Sequence, residues 1–188
     1  MSHWQVLAGV DPVAAAHFVD LDAVFALAGE IVARDSLSIT LRIVINGQRY
    51  YVKRYAGLGK KPLRRWLAAP RVRLEWENLR HFAAWGIPTA RLVAHGMESQ
   101  AGRFLRGALI TAEIPETADL ASIARANDPR LKSRRWLDGV ARQTAEIARR
   151  LHDRRFVHGD LKWRNLLVDK ADTLHLIDER CRTAVVRR

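Results

Sequence analysis

Four residues whose types can do chemistry follow one another as Asp160, Lys162, Asn165 and Asp178, the first three inside the segment His158-Gly159-Asp160-Leu161-Lys162-Trp163-Arg164-Asn165. Moving a phosphoryl group needs one carboxylate to orient or deprotonate the acceptor hydroxyl, and separate oxygen ligands to hold magnesium against nucleotide phosphates. Asp160 suits the first task. Asn165 comes five residues later in the same loop. Asp178 comes thirteen after that, beyond the apolar strand Leu174-His175-Leu176-Ile177, so both can serve one metal ion from neighbouring strand ends. His158 invites a role as acid or base, but in such a loop its expected task is a hydrogen bond that braces the loop near Asp178. Trp163 either lines an acceptor site or packs. His81, His95, His152 and His175 have no partners at ligand spacing and are read as surface or packing residues.

These groups need elements to position them, and the chain reads as β-rich first and helical later. Ile39, Leu41, Ile43 and Ile45 alternate with Thr40, Arg42 and Val44, Asn46-Gly47 supplies a two-residue hairpin turn, and Tyr50-Tyr51-Val52-Lys53 returns. A helix is expected over about 71–85, stopped by Gly86-Ile87-Pro88, with short strands near 90–95 and 105–112. A second helix, about 136–152, carries Val140, Thr144, Ile147 and Leu151 on one stripe and runs into the His158 loop. The stretch Thr111-Ala112-Glu113-Ile114-Pro115 divides the chain into a nucleotide-binding lobe, 1–112, and a catalytic lobe, 113–188. Repeats and low-complexity tracts are absent.

Lys53 lies on a strand and shares a face with Tyr51 and Tyr55. On the helix over 71–85, Val72, Glu75, Leu79 and Phe82 fall at spacings of three, four and three, which puts Glu75 on the apolar, inward stripe and Glu77 on the opposite side with Arg73 and Arg80. A carboxylate there needs a cation to offset its desolvation, and Lys53 on the adjacent sheet is the expected partner. Such a pair would hold Lys53 against nucleotide phosphates.

Composition bounds the remaining classes. With 188 residues, 48% hydrophobic and 28% charged, the chain can bury a core as a soluble domain or two small lobes. The single cysteine, Cys181, excludes an intrachain disulfide framework and a cysteine zinc site, and fits a reducing compartment. The first thirty residues contain no Lys or Arg and so lack the basic head of a signal peptide. No apolar run reaches the roughly 20 residues of a membrane span. A net charge of +12 predicts attraction to anionic partners. Much of it lies in 53–80, where Lys60, Lys61, Arg64 and Arg65 are interleaved with Leu63, Trp66 and Leu67. That segment is either a membrane-interface element or a solvated face with Trp66 in the core. No aromatic motif of an RNA-binding module is visible, so no specific nucleic-acid partner is expected.

The runs Thr40-Leu41-Arg42, Tyr51-Val52-Lys53-Arg54, Leu74-Glu75-Trp76-Glu77-Asn78-Leu79, Gly86-Ile87-Pro88-Thr89, His158-Gly159-Asp160-Leu161-Lys162 and Leu176-Ile177-Asp178 together resemble the bacterial lipopolysaccharide kinases of the Kdo/WaaP type, from about residue 28 onward. The resemblance implies an α+β, protein-kinase-like fold of two lobes, a β-rich N-lobe and a short, mainly helical C-lobe. It implies a kinase that uses ATP and Mg2+ to phosphorylate a sugar hydroxyl, Kdo or heptose, of the lipopolysaccharide inner core. The implied location is cytoplasmic, peripheral on the inner face of the inner membrane, where an acidic glycolipid acceptor and an anionic membrane surface suit the basic charge. By the same resemblance Lys53 and Glu75 form the nucleotide-lobe ion pair, Asp160 is the catalytic base, Lys162 neutralises charge on the transferring group, and Asn165 and Asp178 bind magnesium.

Three departures keep an alternative open. No Gly-x-Gly-x-x-Gly loop precedes the hairpin; the corresponding turn falls at Arg34-Asp35-Ser36, where backbone amides approach phosphates less freely, and weak ATP binding is expected. Glu179-Arg180 follow Asp178 in place of Phe-Gly, which argues against a flipping switch. Only ten residues follow Asp178, so the acceptor platform is expected to be incomplete or supplied by another surface. The alternative is a pseudokinase-like module that binds a nucleotide or an anionic partner without turnover.

Overall fold

The computed structural model describes residues 2–56 and 70–177. The chain divides into two compact units, Met1–Trp76 with Arg91–Glu113, and Glu77–Ala90 with Ile114–Arg188.

The first unit is built on a six-stranded antiparallel sheet. Its strands are β1 (Ser2–Val6), β2 (Glu30–Arg34), β3 (Ser38–Ile45), β4 (Gln48–Ala56), β5 (Leu92–Gln100) and β6 (Arg103–Ala112), in the order β1-β5-β6-β4-β3-β2. The β3–β4 hairpin turns on Asn46 and Gly47, both with positive φ, and pairs Ile45 with Gln48, the geometry of a tight two-residue turn. Alternation then sorts the side chains. Leu41, Ile43, Ile45, Tyr50 and Val52 point into a core closed by Ala14 and Phe18 from around the short helix α1 (Pro12–His17) and by Leu21 and Val24 of α2 (Leu21–Ala26). Lys53 and Tyr55 therefore face the opposite side of the sheet. There the helix α3 (Arg71–Ala84) begins, its inward residues Val72, Glu75 and Trp76 all buried. Gly107 on β6 permits the approach, since a Cβ there would stand 3.0 Å from Val72 Cγ1.

The second unit takes the remainder of α3, then β7 (Ala118–Asp119), α4 (Leu120–Arg125), α5 (Arg134–Asp153), β8 (Leu166–Val168) and β9 (Leu174–Leu176), with the last two strands and β7 in one antiparallel sheet. Ser133 caps α5 by accepting the Trp136 amide, and the helix buries Trp136, Ile147 and Leu151. Those side chains meet Phe82, Ile87, Leu120, Ile123, Leu166, Val168, Leu174 and Leu176 in a single core. The expected stripe faces this core: Val140 is half-buried against it, and half-buried Thr144 donates its hydroxyl to the Val140 carbonyl.

The strands expected near 90–95 and 105–112 run longer, to Gln100 and from Arg103, because they pair with each other as well as with β1 and β4. Among the described residues no helix is long and apolar enough to cross a membrane. The interleaved segment around Trp66, and Asp178, Glu179, Arg180 and Cys181, lie outside the described residues.

Candidate active site

In the first unit, Lys53 Nζ donates to Glu75 Oε2 at 2.9 Å, with Lys53 8% and Glu75 3% exposed. The helical stripe and the strand face thus converge as the sequence suggests, but the carboxylate has more company. The Tyr55 hydroxyl donates to the same oxygen, and Arg71 Nε donates to Oε1 at 2.9 Å from one turn earlier on α3. Burial raises the Glu75 pKa, opposed by Lys53, Tyr55 and Arg71. Burial and the neighbouring carboxylate raise that of Tyr55, which keeps its proton to donate. Two cations and a hydroxyl on one carboxyl group fix its direction, which fixes the Lys53 ammonium in turn.

In the second unit, the loop that carries Asp160 is fastened at both ends. After α5, Phe156 enters the core edge-on to Phe82 at 5.5 Å, and His158 stacks on Phe82 at 6.2 Å. At the far end Leu166 pairs with Leu176 on β9, and the Ile177 amide donates to the Asn165 carbonyl at 2.9 Å. The loop closes on itself as well. The Asp160 amide donates to His158 Nδ1 at 3.2 Å, and Asn165 Nδ2 donates to the Asp160 carbonyl at 2.7 Å. His158 is a brace within the loop, consistent with the structural task read from the sequence.

Asp160 is 9% exposed. The Lys162 ammonium pairs with its Oδ1, and Arg164 Nη2 stands 3.6 Å from its Oδ2. The hydrogen bond from Lys162 is the main reason that its carboxyl is held below the ordinary aspartate range, with the charges of Lys162 and Arg164 adding to it. The group is an anion across the physiological range. Trp163, three residues after Asp160, is 63% exposed and presents most of its side chain to solvent.

Asn165 is buried and its amide nitrogen is committed to the Asp160 carbonyl, which leaves Oδ1 as the end with lone pairs to offer a cation. One amide oxygen and a carboxylate fit magnesium, which takes few protein ligands and completes its shell with phosphates and water. Asp178, the second expected ligand, lies beyond the last described residue. Among the described residues no three His, Cys, Asp or Glu side chains converge as a metal cage.

The structure thus brings Lys53 to Glu75, and Asp160 to Lys162 and Asn165. The sequence reading missed Arg71 and Arg164. The first stands four residues before Glu75, an i,i+4 pairing that the sequence does display. Of the other histidines, His95 stacks on Trp76 at 4.7 Å, His81 stacks on Trp85 at 5.3 Å, His175 pairs with Asp169 at 2.9 Å, and His152 is exposed.

Comparison with known proteins identifies the family. Residues 30–188 match the lipopolysaccharide kinase (Kdo/WaaP) family. The lipopolysaccharide core heptose(I) kinase WaaP of Pseudomonas aeruginosa is 30% identical over 68% of the chain, and the chain spans about half, 51%, of that relative's length. A solved structure of WaaP in complex with acyl carrier protein superposes with a TM-score of 0.68 at 26% identity, over 97% of this chain and 73% of that one. The fold is α+β and protein-kinase-like. On this match, and with the buried lysine–glutamate pair and the braced aspartate loop in place, the chain belongs to the lipopolysaccharide kinase (Kdo/WaaP) family.

Proposed function

We propose that the chain is a phosphotransferase that moves the γ-phosphoryl group of ATP, with Mg2+, to a sugar hydroxyl, heptose or Kdo, of the lipopolysaccharide inner core. The observation that carries the reading is Asp160: a buried anion, its backbone pinned on both sides by His158 and Asn165, with two cations at its oxygens.

Magnesium-ATP, when bound, supplies the phosphoryl group and the metal charge that screens it. Lys53, aimed by Glu75, offers its ammonium to phosphate oxygens. Asn165 Oδ1 and Asp178 are the oxygens that would hold the metal. Asp160, a weak base because its own proton affinity is lowered, accepts the hydrogen bond of the acceptor hydroxyl, directs its lone pair, and takes the proton as the new O–P bond forms and the bond from the γ-phosphorus to the bridging oxygen breaks, with ADP leaving. Lys162, paired with Asp160, offers a charge to the phosphoryl oxygens in transit. The exposed face of Trp163 is suited to a sugar ring at the same loop. We assign the nucleotide-binding role to residues 1–112 and the catalytic role to residues 113–188. The acceptor and the charge of +12 support a position at an anionic membrane surface, on the cytoplasmic side.

The test is ADP release with Mg-ATP and core lipopolysaccharide, delipidated core oligosaccharide as a soluble acceptor, and mass spectrometry of the product. Because the solved WaaP is in complex with acyl carrier protein, that protein belongs in a parallel reaction. Phosphate on an inner-core sugar, lost in Asp160→Asn, is the expected result. Nucleotide binding without transfer in every arm would instead favour the binding module.

A further inference from the structure

The turn between β2 and β3 stands where a glycine-rich phosphate loop is missing, and it is organised by its own aspartate. Asp35 Oδ1 accepts the amides of Leu37 and Ser38 at 2.7 and 2.8 Å, and the Asp35 amide donates to the Ser38 carbonyl at 2.9 Å. These bonds close the turn locally. The other oxygen, Oδ2, is used differently: it accepts from Arg71 Nη1 at 2.9 Å. That guanidinium also gives Nε to Glu75 Oε1 and lies over the Tyr55 ring, 5.9 Å from its centroid. Asp35 stays ionised down to a pKa of about 2, since burial is outweighed by the two amides and Arg71. One planar cation therefore joins the turn, the helix and the ring that also donates to Glu75.

We infer that Arg71 is a positioning residue that ties the Asp35 turn to the Glu75 carboxylate, so that the turn facing the nucleotide phosphates and the helix that aims Lys53 move together. The inference rests on the reading of Lys53 and Glu75 as nucleotide-binding groups. It supplies what the absent glycines would have to supply by other means: a phosphate-side turn of defined shape, held by a side chain instead of closing freely over the ligand. Lysine cannot replace this arginine. A single ammonium on a flexible stem can satisfy Asp35 or Glu75, whereas the guanidinium fork satisfies both with different nitrogens.

The experiment measures the Kd for Mg-ATP by calorimetry, and amide hydrogen exchange at Leu37 and Ser38, in the full chain and in Arg71→Ala, Arg71→Lys, Asp35→Ala, the Arg71→Ala/Asp35→Ala double variant and Lys53→Ala. Expected is a loss of about tenfold in ATP affinity in both Arg71 variants and in Asp35→Ala, since each breaks the tie that joins Asp35 to Glu75 through Arg71. The double variant should lose no more than either single, because all break one tie. Faster exchange at Leu37 and Ser38 should accompany the loss. Arg71→Lys covers the case in which the alanine variant fails to fold. Arg71→Lys with wild-type affinity overturns the inference, and so do losses that add in the double variant. A wild type that binds Mg-ATP and loses it in Lys53→Ala, but not in either Arg71 variant, overturns the inference alone. A wild type that binds no Mg-ATP overturns both it and the reading beneath it.

Discussion

Replacing Glu75 with alanine should cost more stability than replacing Lys53 with methionine, although the two residues form one ion pair. The reason is the number of groups each leaves behind. Lys53 has Glu75 as its hydrogen-bond partner and the Tyr55 ring at 5.6 Å, so Lys53→Met leaves a carboxylate that still holds the Tyr55 hydroxyl and Arg71. One charge-assisted hydrogen bond is lost, about 1.5–3 kcal/mol. Glu75→Ala instead strands a buried ammonium, a buried phenol and one side of Arg71, which puts it in the range of about 3–5 kcal/mol for breaking a buried pair. For a chain of this size those losses are about 3–12 °C for Lys53→Met and about 6–20 °C for Glu75→Ala in melting temperature. Urea unfolding followed by tryptophan fluorescence reads the order directly, since Trp76 is the next residue on the helix and stacks on His95. If Lys53→Met costs as much as Glu75→Ala, or if both fall within about 0.5 kcal/mol of wild type, the network is not what holds this face of the sheet together.

Other outcomes follow from the loop of the second unit. Asp160→Asn should lower phosphoryl transfer by about 10²–10⁴-fold, the worth of a positioned base, while the melting temperature barely moves, because its cationic partners are more than half exposed and such pairs contribute at most about 1 kcal/mol. Its lowered pKa sets the sign of the pH dependence. The carboxylate and the stability it brings are fully present above the ordinary aspartate value and are lost as pH falls through the lower folded value, so a rate profile should show no acid limb from this group near neutrality. Asn165→Ala should cost about 1–3 kcal/mol by leaving the buried Asp160 carbonyl without its donor, and should raise the Mg2+ concentration needed for half-maximal rate. Asn165→Asp, which keeps an oxygen for the metal but loses the donor, should show the stability loss with a smaller shift in Mg2+ requirement. Trp163→Ala should leave stability within about 0.5 kcal/mol of wild type while raising KM for core oligosaccharide and leaving KM for ATP alone; an equal change in both would place the ring elsewhere than at the acceptor.

Local physics made much of this molecule legible from its residues alone. The β3–β4 hairpin is encoded by period-two alternation and Asn46-Gly47, the inward placement of Glu75 by the 3.6-residue period of α3, and the braced loop by the close succession of His158, Asp160 and Asn165, each of which finds its partner within five residues. What only the folded chain decided involves partners far apart. The helices α1 and α2 have six residues each, too few to form alone, and exist because Phe18, Leu21 and Val24 close a core made by strands further along. Strand β1 pairs with β5 some ninety residues away, as in Ser2 with Glu98. Arg71 shows both sides at once: its i,i+4 relation to Glu75 is written in the helix, but its bond to Asp35 spans 36 positions and depends on the sheet carrying that turn to the helix. Periodicity assigns a side chain to a face; the neighbour that meets it there is set by chain closure over long separations, which no local pattern encodes.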